Sequence, residues 1–337
     1  MRVVVAPDKF RGTATAFEAA RAIAAGVRRA GHDAVELPLA DGGEGLLEVL
    51  GGANRVAAVT GPLGDVVEAG WRFDGRTAVI EMALASGLAL VGGPEGNDPI
   101  AASTSGTGEL ITLAVEAGAR VVIVGVGGSA TTDGGLGALR AMVSCRMRGV
   151  DLEVACDVRT RFVDAAEQFA PQKGATPAQV ELLRRRLERL ADVYLEEYGV
   201  DVREMVGGGA AGGLAGGLAV VGGRLSSGFE LVAEQVGLDV ELERADLVIT
   251  GEGFVDGGSF DGKVVGGAVE WARQAGVPVL VVAGEVFDDA TDPAFGGPSL
   301  SVVDLVARFG RERALTETTA VIEDAVADWL STRTLPA

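Results

Sequence analysis

The run "VVVAPDKFRG", residues 3–12, begins as a buried strand and ends in an acid and two bases, Asp8, Lys9 and Arg11. Lysine is scarce in this chain. Of 29 basic residues three are Lys and 26 are Arg, and Lys9, Lys173 and Lys263 all stand in loops or at helix starts beside Gly or Pro. Arg is a planar fork and Lys a compact point charge on a flexible stem, so a cradle of backbone N–H groups around a phosphate can require the latter. Lys263 closes "GGSFDGK", which fits G-x-x-x-x-G-K between a strand and a helix. Val264 occupies the Ser/Thr position that would bind Mg2+, and Gly251, Glu252 and Gly253 intervene after the strand, so this is not a Walker A loop. What remains is a helix amino terminus plus a lysine, an anion site in its own right. For Lys173, in "PQKGAT", a phosphate contact and a local capping or pairing role are both open.

The acids gather in similar loops: Asp8, Asp41 and Glu44, Asp133, Asp157, Glu252 and Asp256. Two further stretches are rich in Gly and hydroxyls. "ASTSGTGE" contributes Ser103, Thr104, Ser105, Gly106 and Thr107, and "GVGGSATTDGG" contributes Gly127, Gly128, Ser129, Thr131 and Asp133. Small residues let backbone amides approach a phosphate, and the hydroxyls add donors. Carboxylates converging with Lys and such loops suit phosphoryl transfer, where some acids hold Mg2+ against nucleotide oxygens and one takes the proton of the attacking hydroxyl. Each acid taken singly reads equally well as a turn or helix cap. "VGGGAAGGLAGGL", residues 206–218, contains G-x-G-x-x-G, but in so glycine-dense a stretch close packing or a hinge explains it as well. No acid follows in a ribose-binding context, so a Rossmann dehydrogenase is weakly supported.

Composition narrows the field. The 337 residues carry a formal charge of −19, which argues against a nucleic-acid partner, since such binding is driven by Lys and Arg displacing counterions. No apolar run approaches the roughly 18–20 residues that span a bilayer, and no charged n-region precedes an apolar stretch, so no membrane partner and a cytoplasmic location are expected. Cys145 and Cys156 are the only cysteines and His32 the only histidine, too few for a zinc site or a Ser/His pair. Acid and base work falls to carboxylates or lysine.

The elements that must position these residues follow from periodicity. "TAFEAARAIAAGVRRAG" reads as a helix with a Thr15–Glu18 capping box, and "AVELPLADGGEG" as the next strand, a βαβ start with both strands running into charged loops. "ADLVITGEG", "GKVVGGAVEWARQAG", "VPVLVVAG" and "LSVVDLV" repeat that rhythm late in the chain. "AGWRFDGRTAVIEMA" instead alternates around Asp74-Gly75, a hairpin signal. Residues 176–198 form a long helix capped by Thr176, with Val180, Leu183, Leu187, Leu190 and Tyr194 on one face and its arginines on a solvated one. The expected architecture is α/β: an open parallel-sheet domain from both chain ends, residues 1–62 and 236–337, with an inserted mixed α/β domain at 63–235 and the ligand in the cleft between them.

Together the loops are recognisable. "APDKFRGTATAFEAA", "PLADGGEG", "IEMALASGL", "STSGTGELI", "GVGGSATTDGGLGAL", "ACDV", "FAPQKGAT", "GAAGGLAGGL" and "DLVITGEG" followed by Asp256 and Gly262-Lys263 resemble, in order, the motifs of the bacterial glycerate kinase family, of the glycerate 2-kinase type. The resemblance implies a two-domain glycerate kinase-like fold, ATP with Mg2+, and phosphorylation of D-glycerate, 2-phosphoglycerate being the favoured product. On the reading of the residues themselves, Lys9 and Arg11 are expected to hold the substrate carboxylate or transferring phosphoryl group and Asp8 to lie near the metal, with Asp41, Glu44, Asp157 and Glu252 as metal ligands and Asp256, in the same loop as Lys263, as base. Residues 103–107, 127–133 and Lys173 would line the nucleotide phosphates. The chain departs from the family at Lys9, usually Ser; at Arg11, usually Lys; at Phe254, usually Arg; near Gly258, usually Gln; and at Arg159-Thr160-Arg161, usually beginning Asn-Pro. A kinase for another small hydroxy acid and a nucleotide-binding module without turnover therefore stay open, as do monomer and homodimer.

Overall fold

In the computed structural model, residues 1–10, 12–260, 263–287 and 300–332 are described. Their strands are β1 (Arg2–Val5), β2 (Asp33–Glu36), β3 (Arg55–Thr60), β4 (Val66–Phe73), β5 (Thr77–Glu81), β6 (Val121–Gly125), β7 (Asp151–Ala155), β8 (Arg224–Ser226), β9 (Leu247–Val255), β10 (Val279–Val286) and β11 (Leu300–Asp304). The class is α/β, with one parallel and one mixed sheet. The chain divides into two compact units, Met1–Asp41 with Phe229–Ala337, and Gly42–Gly228. These boundaries fall earlier than the expected 62/63 and 235/236, for two local reasons. β3 pairs antiparallel with β4, which draws the segment before residue 63 into the second unit. Phe229, at the start of the helix Gly228–Val236, lies edge-on to Trp271, 5.4 Å between ring centroids, and so belongs with the first.

In the first unit the strand order is β11-β10-β9-β1-β2, and every neighbouring pair is parallel. Parallel strands are covered on both faces and read as continuous apolar runs. Accordingly Val3, Val4 and Val5 of β1 and Leu247, Val248 and Ile249 of β9 are fully buried. The helix Ala16–Arg29 opens with the expected capping box, Glu18 N donating to Thr15 Oγ1 and Thr15 N to Glu18 Oε2. It packs on the helix Thr318–Thr332 at Gly26, where a Cβ would come within 2.7 Å of Glu323 O. The order of strands changes direction at β1: β2 lies on one side, and β9, β10 and β11 succeed one another on the other. Carboxyl ends of parallel strands at such a switch point leave a crevice.

In the second unit the order is β3-β4-β5-β6-β7-β8, antiparallel through β3, β4 and β5 and parallel from β5 onward. The β4–β5 hairpin turns at Asp74-Gly75, where Asp74 Oδ1 accepts from Thr77 N at 2.8 Å and Gly75 takes φ +94°. The helix Pro177–Tyr198 starts on a Thr176–Gln179 capping box and buries Leu183, Leu187, Ala191 and Tyr194. The glycine-rich segment resolves in favour of close packing. Ala211, Gly212 and Gly213 are all left-handed, and a Cβ on Gly212 would come within 2.0 Å of Thr131 O. No helix among the described residues is long and apolar enough to cross a membrane.

Candidate active site

The first unit gathers its charges where the sheet topology puts a crevice. Asp8 and Lys9 follow β1, Asp41 lies beyond β2, and Glu252 sits in β9, which runs through Gly251-Glu252-Gly253 to Val255 instead of stopping before them. Asp8 N donates to Gly251 O at 2.9 Å, which ties the two strand ends together. With Asp256, Lys263, Phe254 and Phe287 they line a cleft of about 400 Å3. Lys9 Nζ stands 3.9 Å from both Asp8 Oδ1 and Asp41 Oδ1, and Lys9 N donates to Asp8 Oδ1 at 2.7 Å.

Lys263 occupies the N-cap position of the helix Val264–Gln274, and among the described residues no side-chain hydrogen bond caps that helix. Its ammonium is therefore set at the end of a helix whose first amides favour an anion. Asp256 is held by its own turn: Ser259 N donates to Asp256 Oδ1 at 2.9 Å, and Asp256 N donates to Ser259 Oγ at 3.1 Å. A Cβ on Gly258 would lie 3.2 Å from Asp256 Oδ1 and 4.0 Å from Lys263 Nζ, so a bare backbone is what separates acid from base here. Arg11 lies outside the described residues.

Burial pushes the Glu252 carboxyl up to about 7, with the neighbouring Asp8 and Asp256 adding to the rise and Ser259 and Lys263 opposing it. Glu252 Oε1 is buried and has no hydrogen-bond partner among the described residues. An all-oxygen donor set with such an orphaned atom suits Mg2+, which is bound through one or two carboxylates plus phosphate oxygens. Of the four residues expected to hold the metal, Asp41 and Glu252 share this cleft; among the described residues no group of three or more His, Cys, Asp or Glu side chains is arranged to hold an ion. Asp157, after β7, accepts from Gly228 N at 2.7 Å and from Ser227 Oγ at 3.2 Å, a turn-holding role. Glu44 lies in the second unit beside Gly128, whose Cβ, if present, would be 3.7 Å from Glu44 Oε1.

The second-unit loops are built largely from inward-facing groups. Asp133 Oδ2 accepts from Thr104 N, Thr104 Oγ1 and Gly137 N, and its Oδ1 from Gly135 N, so it braces the start of the helix Ser105–Glu116. Thr104, Thr107 and Thr131 are fully buried, and Thr107 Oγ1 lies 2.9 Å from Ser86 Oγ. Gly106 and Gly127 allow close packing, on Thr60 O and Gly43 Cα respectively. Lys173, expected among the phosphate contacts, is buried and donates to Ser129 Oγ at 2.7 Å and Thr131 O at 2.6 Å. Burial pushes its ammonium down to about 7, against the pull of Asp133. Ser103 and Ser105 remain half-buried, with their hydroxyls 2.8 Å apart.

Sequence reasoning missed Ser259 and Phe287. Ser259 stands three residues after an Asp in "DGGS", a turn signature, and Phe287 follows the carboxyl end of β10, where a switch-point crevice draws its walls. Phe287 stacks on Phe254, 6.0 Å between centroids and 26° between planes.

Known proteins are similar to this chain in sequence and fold. The sequence pattern described as the glycerate kinase family matches residues 3–145 and 142–332. The chain is 40% identical over 330 residues to the Glycerate 2-kinase of Escherichia coli (strain K12), with 86% of each chain covered. It is 39% identical over 343 residues to the Glycerate kinase of Haemophilus influenzae, covering 88% of this chain and 90% of the relative. A crystal structure from Salmonella typhimurium LT2, described as glycerate kinase 2, is similar with a TM-score of 0.82 at 34% identity, covering 98% of each chain.

Proposed function

The chain belongs to the glycerate kinase family and is a kinase, and from that premise we propose that it transfers the γ-phosphoryl group of ATP to D-glycerate, giving 2-phosphoglycerate. One observation carries the reading: Lys9, Lys263, Asp41, Glu252 and Asp256, from remote segments, line a single cleft at the carboxyl ends of parallel strands. The relative named for 2-phosphorylation supports the choice of product.

Asp256, oriented by the Ser259 amide, takes the proton of the acceptor hydroxyl. The hydroxyl oxygen then forms its bond to the γ-phosphorus as the bond from that phosphorus to the β–γ bridging oxygen breaks, and ADP leaves. Lys9 and Lys263 hold the acceptor carboxylate and the transferring phosphoryl oxygens. Such a reaction needs positioning and charge neutralisation more than covalent help, so a chain with one histidine suffices. Mg2+ would be held by Glu252 and Asp41 together with phosphate oxygens, and supplies charge neutralisation there.

A second reading is favoured by the stacked Phe254–Phe287 pair, both exposed in the cleft lining, which offers an apolar wall to an acceptor larger than glycerate. An ADP-release assay over a panel of hydroxy acids separates the two. Turnover with D-glycerate at least tenfold above any other acid is expected, with 2-phosphoglycerate identified by phosphorus NMR; turnover confined to a bulkier acid would select the second reading. Lys9→Ala and Lys263→Ala should each lower kcat/KM at least tenfold, about 1.4 kcal/mol or more, with unchanged thermal unfolding. Wild-type rates in both would remove the ammonium groups from the chemistry.

A further inference from the structure

The acid read as base in the first-unit cleft is carried on a turn, and that turn is fixed to the helix that begins beside Lys263. Gly257–Phe260 form one 3-10 turn directly after Asp256, and a Cβ on Gly266, in the first turn of the helix Val264–Gln274, would come within 2.5 Å of Phe260 Cα. Backbone meets backbone there, so Asp256 cannot drift from Lys263 without moving the helix start. Inside the turn Ser259 is 1% exposed, while Asp256 is half-buried in the cleft lining. Serines in turns ordinarily stand in water, and this one does not.

A hydroxyl has a single proton to give and lone pairs with which to accept. Ser259 Oγ accepts from Asp256 N at 3.1 Å. Asp256 Oδ1 lies 3.3 Å and Phe254 O 3.4 Å from the same oxygen, both long for an O–H donor, and Asp256 Oδ1 already receives the Ser259 amide at 2.9 Å. The hydroxyl proton is thus weakly claimed within its own turn. The remaining claimant is Glu252, whose carboxyl Ser259, ahead of Lys263, holds down against burial. Ser259 therefore joins two cleft carboxylates that come from different stretches of backbone, one in β9 and one after it. With Asp256 Oδ1 fixed, Oδ2 has no hydrogen-bond partner among the described residues and is the oxygen left to a ligand. An unrestrained carboxylate turns about its last torsion and offers either oxygen over a range of directions. Proton transfer needs one oxygen at hydrogen-bond distance, and a misplacement of about 1 Å can cost about 100-fold in rate.

We propose that the Ser259 hydroxyl is a positioning group for the phosphoryl transfer, fixing the turn so that Asp256 presents Oδ2 alone to the acceptor hydroxyl and bracing Asp256 against Glu252. This rests on the reading of the protein as a kinase with Asp256 as base. In that step Asp256 Oδ2 takes the acceptor proton while the acceptor oxygen bonds to the γ-phosphorus and the bond from that phosphorus to the bridging oxygen breaks. Ser259 touches neither reacting atom and keeps its own proton throughout. Its whole effect passes through Asp256, which separates it from a serine that merely fills the interior.

A double-mutant cycle on the full chain tests this, with rates of D-glycerate phosphorylation followed from radiolabelled ATP for the wild type, Ser259→Ala, Asp256→Asn and the two combined. Ser259→Ala keeps the amide that donates to Asp256 Oδ1 and removes only the hydroxyl. It should lower kcat about tenfold, with KM for ATP and for glycerate within about twofold of wild type. In the Asp256→Asn background, where the base is gone, the same substitution should change kcat by less than about twofold. Ser259→Cys, close in volume and a weaker donor, repeats the cycle should the alanine variant not fold, and it should give a smaller loss confined to the Asp256 background. Equal losses in both backgrounds, a rise in KM without a fall in kcat, or unchanged kcat in the serine variants overturns the proposal and leaves the kinase reading standing. Wild-type rates in Asp256→Asn overturn it as well, by removing the base. A wild-type protein that phosphorylates no hydroxy acid sinks the kinase reading itself, and this proposal with it.

Discussion

Lys173 shows how far burial can redirect a side chain. Its amine has two acceptors, Ser129 Oγ and Thr131 O, and a third N–H would face an interior that is 3% exposed. The neutral amine satisfies both partners with two N–H groups, which accords with a downward shift caused by desolvation. The lysine titrates near its ordinary 10.5 when unfolded and near 7 when folded, so between those values the unfolded chain binds the additional proton. Stability then rises with pH across that window, and below about pH 7 both states are protonated and the full cost of the buried charge is present. Lys173→Met removes the titration. Between pH 7 and pH 9.5 the melting temperature of the wild type should move upward relative to the variant, and parallel curves would show that the ammonium is not desolvated.

At the scale of elements, the loop 131–135 is pressed against the left-handed turn at 211–213. Gly134 N donates to Gly212 O at 3.0 Å, and Tyr194 OH donates to Gly134 O at 2.9 Å, so a helix and a glycine turn hold the loop from two directions. Gly212 has φ +66° and no room for a methyl group beside Thr131 O, whereas Gly222 has φ +93° with nothing within 4 Å. Gly222→Ala should cost about 1–2 kcal/mol, the strain of a left-handed alanine. Gly212→Ala adds overpacking of about 1–3 kcal/mol against backbone that cannot rotate away. Urea unfolding of the two variants checks this, and equal midpoints would contradict the packing account.

At the scale of the molecule, each unit owns its core. One is built from Val3, Val5, Ile23, Leu247, Leu280 and Val321, another from Ile80, Leu110, Val124, Val154 and Leu214, with Phe162, Leu183, Leu187 and Tyr194 forming a third beside the long helix. The second and third cores lie within the continuous stretch Gly42–Gly228. That stretch expressed alone should unfold cooperatively with helical and strand circular dichroism, because its sheet and its buried surface are complete within it. Residues 1–41 alone should not fold, since β1 lies between β2 and β9 and the core it shares with the helix Ala16–Arg29 is completed by Leu247, Ile249, Leu280, Val282 and Val321, more than 200 residues away. A non-cooperative melt of the 42–228 fragment would refute the independence of that core.

The amino-acid sequence by itself determined whatever depends on near neighbours. The Thr15–Glu18 and Thr176–Gln179 capping boxes, the Asp74-Gly75 turn and the apolar runs of β1 and β9 are written within a few residues each. So is the delivery of Asp8 and Lys9 to a strand end. Only the tertiary structure decided which polar groups face a cleft and which face the interior. Lys173 has the same local appearance as Lys9, yet the first is enclosed by Ser129 and Thr131, and the second lines a cleft with Asp41 and Glu252. The difference lies in desolvation and hydrogen-bond partners supplied by distant segments, which no window of sequence contains.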